Sequence, residues 1–184
     1  LGLGAQAPFL AIVVGVDLES SKKAVALAEK YEHLYAAVGL HPNRESAEWY
    51  TVAQYRELAQ NPKVVAIGEC GLDYYRAMQA NTEGSASVFV KQAKGASSAY
   101  FRPLEVNDEV KRKQKAILND QIALASELGK PLIIHCRPSK GTQDAYHELI
   151  EILKEAKVEH STLRGDIHFF VGGIQEAEAF FALD

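Results

Sequence analysis

Val64-Val65-Ala66-Ile67, followed at once by Gly68-Glu69-Cys70-Gly71-Leu72-Asp73, is the stretch from which the rest of the chain can be organised. Four apolar residues, three of them β-branched, predict a short strand with no polar face. The glycines that follow predict a turn, and it carries two carboxylates. The same arrangement recurs along the chain. Ile12 to Val16 predicts a strand closed by Asp17, and Leu34 to Leu40 predicts one ending at His41-Pro42. Pro131 to His135 and Ile167 to Val171 predict two more. Between them lie stretches of helical period. Ser20-Ser21 can cap a helix in which Ala24, Leu27, Ala28 and Tyr31 share a face. Trp49, Val52, Ala53 and Leu58 mark a second helix, ending before Asn61-Pro62. Lys111 to Leu128 is a long amphipathic helix with Gly129 as its C-cap. Asp144 to Ala156 and Gln175 to Ala182 complete the set. Strands that are apolar throughout and alternate with helices predict an α/β protein, its parallel sheet covered on both faces. The segment from Met78 to Phe101 is polar, rich in small residues and weakly periodic, and reads as an inserted mobile loop.

Composition narrows the function classes. A chain of 184 residues is of one-domain size. Its formal charge of -4 supplies no global basic field, so any contact with nucleic acid must be local. No apolar run approaches the ~20 residues of a membrane-spanning helix. Two cysteines, Cys70 and Cys136, cannot build a disulfide framework and suit a reducing, cytoplasmic setting. The chain opens on Leu1 without a basic region, and its sole methionine is Met78. Both ends read as cut, so a fragment of a longer chain is expected.

The residues suited to chemistry cluster at predicted strand ends: His41, Glu69, His135 and, less neatly, His168. In parallel α/β sheets and barrels active sites form at that edge. A carboxylate with imidazoles is a recurring open site for Zn, Mn or Fe, and a bound divalent ion makes hydroxide available near neutral pH. The plainer readings are a turn-capping Glu69, and satisfied core histidines at 135 and 168. His33, His147 and His160 fall on helix or loop surfaces and read as solvated. Arg137 can pair with a phosphate oxygen or with a carboxylate at a helix entry. Asp73 is placed to orient a neighbouring ligand. Tyr74 and Tyr75 could stack on a base but suit packing better, and Lys111-Arg112-Lys113 reads as a solvated helix start. Neither cysteine has a base beside it in the sequence, so both read as small buried residues.

Gly39-Leu40-His41-Pro42, Ile67 to Tyr75, Gln121 to Ala125, Pro131 to Arg137 and His168-Phe169-Phe170-Val171-Gly172 together resemble the successive signatures of TatD-family metal-dependent hydrolases. The resemblance implies a (β/α)8 TIM-type barrel. Here it would be an incomplete one of about five strand–helix units, a single partial domain over residues 1–184 with an inserted loop at about 77–108. It implies phosphodiester hydrolysis, of DNA or a nucleotide, by metal-activated water. It implies a divalent ion (Mg, Mn or Zn) held by Glu69, His135 and His168, with Glu69 catalytic and with Arg137 and His41 on the substrate. Family members also carry an N-terminal His-x-His pair and a late Asp; neither is in this sequence, so one metal site is expected rather than two. The family often has a second imidazole after His-Pro, where this chain has Asn43. Two alternatives stay open, a metal-dependent amide or ester hydrolase and a non-catalytic barrel fragment.

Overall fold

A computed structural model describes residues 9–44, 50–75 and 108–183. Five strands, β1 (Ala11–Val14), β2 (Leu34–Val38), β3 (Val64–Asp73), β4 (Leu132–Arg137) and β5 (Gly165–His168), form one sheet. The helices are α1 (Leu18–Lys30), α2 (Val52–Ala59), α3 (Asp108–Glu127), α4 (Asp144–Glu159) and α5 (Ile174–Phe181), with a single 3-10 turn at Pro42–Arg44. Every strand pairs in parallel with the next in sequence. A doubly wound sheet reverses its strand order at a switch point, whereas a barrel does not. The unbroken order therefore makes this an open arc of five strand–helix units from a TIM-type barrel. The inserted loop expected at about 77–108 lies outside the described residues except for Asp108, which opens α3. Trp49 lies outside them too.

The sheet is not covered equally on its two faces, contrary to the sequence expectation. In β4, Leu132, Ile134 and Cys136 are buried, while Ile133, His135 and Arg137 between them are only half-buried. Right-handed crossovers put successive helices of a barrel on one side. Leu132, Ile134 and Cys136 pack on that side with Leu118 and Ile122 of α3 and Tyr146 and Leu149 of α4. The other face carries His135 and Arg137, and on β1 it leaves Ile12 and Val14 exposed.

Three boundaries differ from the sequence reading, each for a local reason. Asp17, not Ser20 or Ser21, caps α1: its carboxylate accepts from the Ser20 amide at 2.7 Å, and Ser20 returns the bond in a capping box. The third strand does not stop at Ile67 but runs to Asp73, because Glu69 is accommodated as a bulge. Gly68 pairs with Ile133 and Cys70 with Ile134, leaving Glu69 as the extra residue. Gly68 and Gly71 make this possible with φ of +138° and +139°. A Cβ on Gly71 would lie 1.9 Å from the His135 carbonyl oxygen. The fifth strand ends at His168 and does not continue through Val171, since Phe169 turns left-handed at φ 51°. Among the described residues no helix is long and apolar enough to cross a membrane.

Candidate metal centre

The bulge decides where Glu69 points. In register, Gly71 sits opposite His135 and Asp73 opposite Arg137, so Asp73 lies on the half-covered face with His135. The extra residue brings the Glu69 side chain to that same face. There Glu69 Oε1 lies 3.0 Å from His135 Nδ1 and 3.6 Å from His41 Nε2. The two imidazole rings stand 4.4 Å apart, centre to centre. His41, Glu69 and His135 each offer an atom within 4.8 Å of the others. Glu69 is thus not at the end of its strand, as the sequence suggested. It lies beyond the paired end of β2, where Val38 is opposite Ile67 and the chain departs through Gly39 and Leu40 to His41.

Two buried amides of α3 fix these loops. Gln121 accepts from the Leu40 amide at 2.9 Å and donates to the Leu40 carbonyl at 3.1 Å. Gln114 accepts from the Asp73 amide at 2.9 Å and donates to the Asp73 carbonyl at 3.2 Å. The two glutamines are two helical turns apart and share one face. One helix therefore holds the segment leading to His41 and the end of β3 at a common spacing. Asp73 itself is buried. Its Oδ2 accepts from Asn43 Nδ2 at 2.8 Å and lies 3.0 Å from His135 Nε2, and its Oδ1 accepts from the Tyr75 amide at 3.0 Å.

The charges follow from this packing. The His135 hydrogen bond holds the Glu69 carboxyl below the ordinary range, against the opposing effect of burial. Burial alone would depress His135, but hydrogen bonds to Asp73 and Glu69 carry it up to about 9. Burial and the neighbouring His135 charge take His41 down to about 4. The proton thus sits on the ring between two carboxylates, and the adjoining ring is neutral. Burial lifts the Cys70 thiol to about 12 and raises Cys136 as well, so both are inert thiols.

The donor set fits a divalent ion. Neighbouring ligands of one ion bound at ~2.1 Å lie about 3 Å apart, and Glu69 Oε1 and His135 Nδ1 have that separation. His168 is the last residue of β5, in register with His135 and so on the same face. Its ring is exposed and is not among the three grouped donors, although its charge is felt at Glu69. The structure thus groups His41 with Glu69 and His135, while His168 stands at the rim. Arg137 ends β4 with its guanidinium 4.2 Å from the Tyr75 ring centre. Tyr74 is buried and donates to Glu148 at 2.6 Å, which is packing. Lys111 pairs with Asp144 at 3.2 Å, and exposed His147 pairs with Glu176 at 3.1 Å. The role of Asn43 and the part played by Gln114 escaped the sequence reading. The available signal was glutamine at positions 114 and 121, on the helix stripe that also carries Val110, Leu118 and Ile122.

A family model described as TatD related DNase matches residues 9–184. The 3'-5' ssDNA/RNA exonuclease TatD of Enterobacter lignolyticus is 31% identical over 144 residues, 77% of this chain and 41% of that protein. The uncharacterized metal-dependent hydrolase YabD of Bacillus subtilis is 31% identical over 172 residues, 90% of this chain and 51% of its own length. Among solved structures, YJJV, a TatD homolog from Escherichia coli, superposes with a TM-score of 0.67 at 27% identity, covering 95% of this chain and 53% of that one. The chain spans about half the length of the curated relatives it matches.

Proposed function

The chain belongs to the TatD-related DNase family, and on that footing we propose that it contributes the metal-binding half of a phosphodiesterase acting on single-stranded DNA or RNA. The observation that carries the reading is the 3.0 Å approach of Glu69 Oε1 to His135 Nδ1 on the half-covered sheet face. Glu69 and His135 would hold one divalent ion, with His168 as the further imidazole from β5. A donor set of one carboxylate and imidazoles suits Zn²⁺ or Mn²⁺ better than Mg²⁺, which prefers oxygen. When bound, such an ion supplies a water acidic enough to attack phosphorus near neutral pH.

The other residues act on the substrate. His41 Nδ1 accepts a hydrogen bond from the Asn43 amide at 3.1 Å. A neutral imidazole that accepts at Nδ1 carries its proton at Nε2. His41 Nε2 is therefore a donor, suited to a phosphate oxygen and unsuited to ligating a cation, so its role is the substrate-binding one. Arg137 offers a planar fork to a second phosphate oxygen. Its contact with the Tyr75 ring fixes the guanidinium plane and leaves Tyr75 half-exposed beside it, where a base can stack.

The test is hydrolysis of end-labelled single-stranded DNA by metal-stripped protein, with Mn²⁺ or Zn²⁺ restored, wild type beside Glu69→Ala. Cleavage that needs the ion and vanishes in Glu69→Ala is expected. Cleavage indifferent to chelator and to the substitution would refute the reading.

A further inference from the structure

We infer that Asp73, pinned by Asn43, is the positioning residue that makes Nδ1 the ligating nitrogen of His135. The inference rests on the proposed metal site and assigns a role to residues outside the ligand set. An imidazole presents its two nitrogens in divergent directions and offers one lone pair when neutral. His135 Nε2 lies 3.0 Å from Asp73 Oδ2. An ionised carboxylate only accepts, so Nε2 must keep its proton as long as that bond exists. Nδ1 faces Glu69 Oε1 at the same 3.0 Å, but Glu69 is itself a proposed ligand and Asp73 is not, so an ion that engages Glu69 takes the place of the Nδ1 proton, and the lone pair falls to Nδ1.

Asp73 is built to hold this direction. Its side chain is 1% exposed, so water does not compete for the bond. Its Oδ2 also accepts from Asn43 Nδ2, and its Oδ1 from the Tyr75 amide. Its backbone is gripped from both sides by Gln114. With its oxygens engaged in these bonds and His135 lying between it and Glu69, Asp73 is placed to orient the ligand and not to share the ion. The result is a carboxylate–histidine–metal line, in which the outer carboxylate sets ring orientation and basicity. Asn43, two residues after His41, serves the carboxylate of that line through its side-chain amide.

The experiment uses this chain labelled with 15N-histidine. Zn²⁺ is titrated by calorimetry, and the His135 nitrogens are read by long-range 1H–15N correlation. In zinc-loaded wild type, Nδ1 should show the metal-bound shift and Nε2 should remain protonated. Asp73→Asn should weaken Zn²⁺ binding by roughly 10- to 100-fold and leave the His135 nitrogens in mixed states. Asn43→Ala removes one donor to Asp73 without touching the ring, and should weaken Zn²⁺ binding several-fold. It also stands in for Asp73→Asn if that protein does not fold. A merely structural Asp73 would lower stability without changing which nitrogen binds. Zinc on Nε2 in wild type overturns the inference. So does Zn²⁺ affinity within two-fold of wild type in the folded variants. Zinc bound through Nδ1 with no DNA cleavage would defeat the nuclease reading and uphold this one. Metal-dependent cleavage unaltered by either variant would do the reverse. Wild type that binds no zinc defeats both.

Discussion

Gly71→Ala should be the most damaging single-methyl change in the sheet, and its cost can be worked from the structure. Gly71 has φ +139°, a region that costs an L-residue about 1–3 kcal/mol. The new Cβ would also lie 1.9 Å from the His135 carbonyl oxygen, where ordinary contact begins near 3.4 Å. The obstacle is backbone, not a flexible side-chain tip, so β3 and β4 must separate by more than 1 Å. One or two ladder hydrogen bonds would weaken, each worth about 1 kcal/mol. The sum is a loss of about 2–5 kcal/mol, seen as a lowered urea midpoint. Gly129→Ala is the internal control. Gly129 also has positive φ, +63°, but an added Cβ meets nothing within 4 Å. It should cost only the conformational term of about 1–2 kcal/mol. The comparison thus separates backbone strain from steric contact. Equal losses in the two variants would refute the claim that close approach of β3 to β4 is what demands glycine at 71. A Gly71→Ala protein as stable as wild type would remove the bulge from the explanation of the motif altogether.

Other expectations follow from the site and its surroundings. Arg137→Ala should weaken binding of single-stranded DNA while leaving Zn²⁺ affinity within two-fold, because its guanidinium lies over Tyr75; fluorescence anisotropy beside calorimetry checks both halves. Acid should weaken the α3–α4 junction through Asp144. Burial raises that carboxyl, but bonds from the Ser139 amide and hydroxyl, the Thr142 hydroxyl and Lys111 outweigh it and hold it at about 2. A folded value below the unfolded 3.8 means stability that is present above pH ~4 and is lost as pH falls toward 2. Solvent screening of this partly exposed carboxylate reduces the gap to about 1 kcal/mol at neutral pH, so Asp144→Asn should trail wild type in urea unfolding at pH 7 and converge with it near pH 2.

The sheet was readable because its strands are apolar and short, and because glycine and proline punctuate them. The same punctuation misled at Gly68, where positive φ marks a bulge inside β3 and not the end of a strand. Phe169-Phe170-Val171 has a strand's composition, but Phe169 turns left-handed and the Val171 amide bonds instead to the Tyr146 hydroxyl at 3.0 Å. No local pattern announces that choice, which depends on a tyrosine 25 residues away. Glu69 and His135 stood out as polar residues beside apolar runs. Their mutual contact did not, since it depends on a one-residue register shift between β3 and β4. Asp73 is the instructive case. Its sequence position fits a loop residue, yet it becomes a buried carboxylate because Asn43, His135, Tyr75 and Gln114 all converge on it.

The side chains that build the cluster come from the middle of the chain. His41 and Asn43 follow β2, Glu69 and Asp73 belong to β3, Gln114 and Gln121 to α3, and His135 to β4. None is a side chain of β1 or β5, the two edges of the described sheet; Ile12 and Val14 of β1 are exposed, and the β1 end contributes only through the Val16 carbonyl, which accepts from the His41 amide at 3.0 Å. Open edges are the least constrained parts of a sheet. The Glu69–His135–Asp73 line is therefore held within the β3–α3–β4 unit, with Asn43 after β2 as its one side-chain support from outside that unit. His168 differs in kind. It reaches the same face only through the pairing of β5 with β4, four residues long. On the proposed ligand set, two ligands are fixed by the core of the unit and the third, His168, has a position that follows the state of an edge. Ion affinity should then be set by Glu69, His135 and Asp73, and coordination geometry by whatever holds β5 in place.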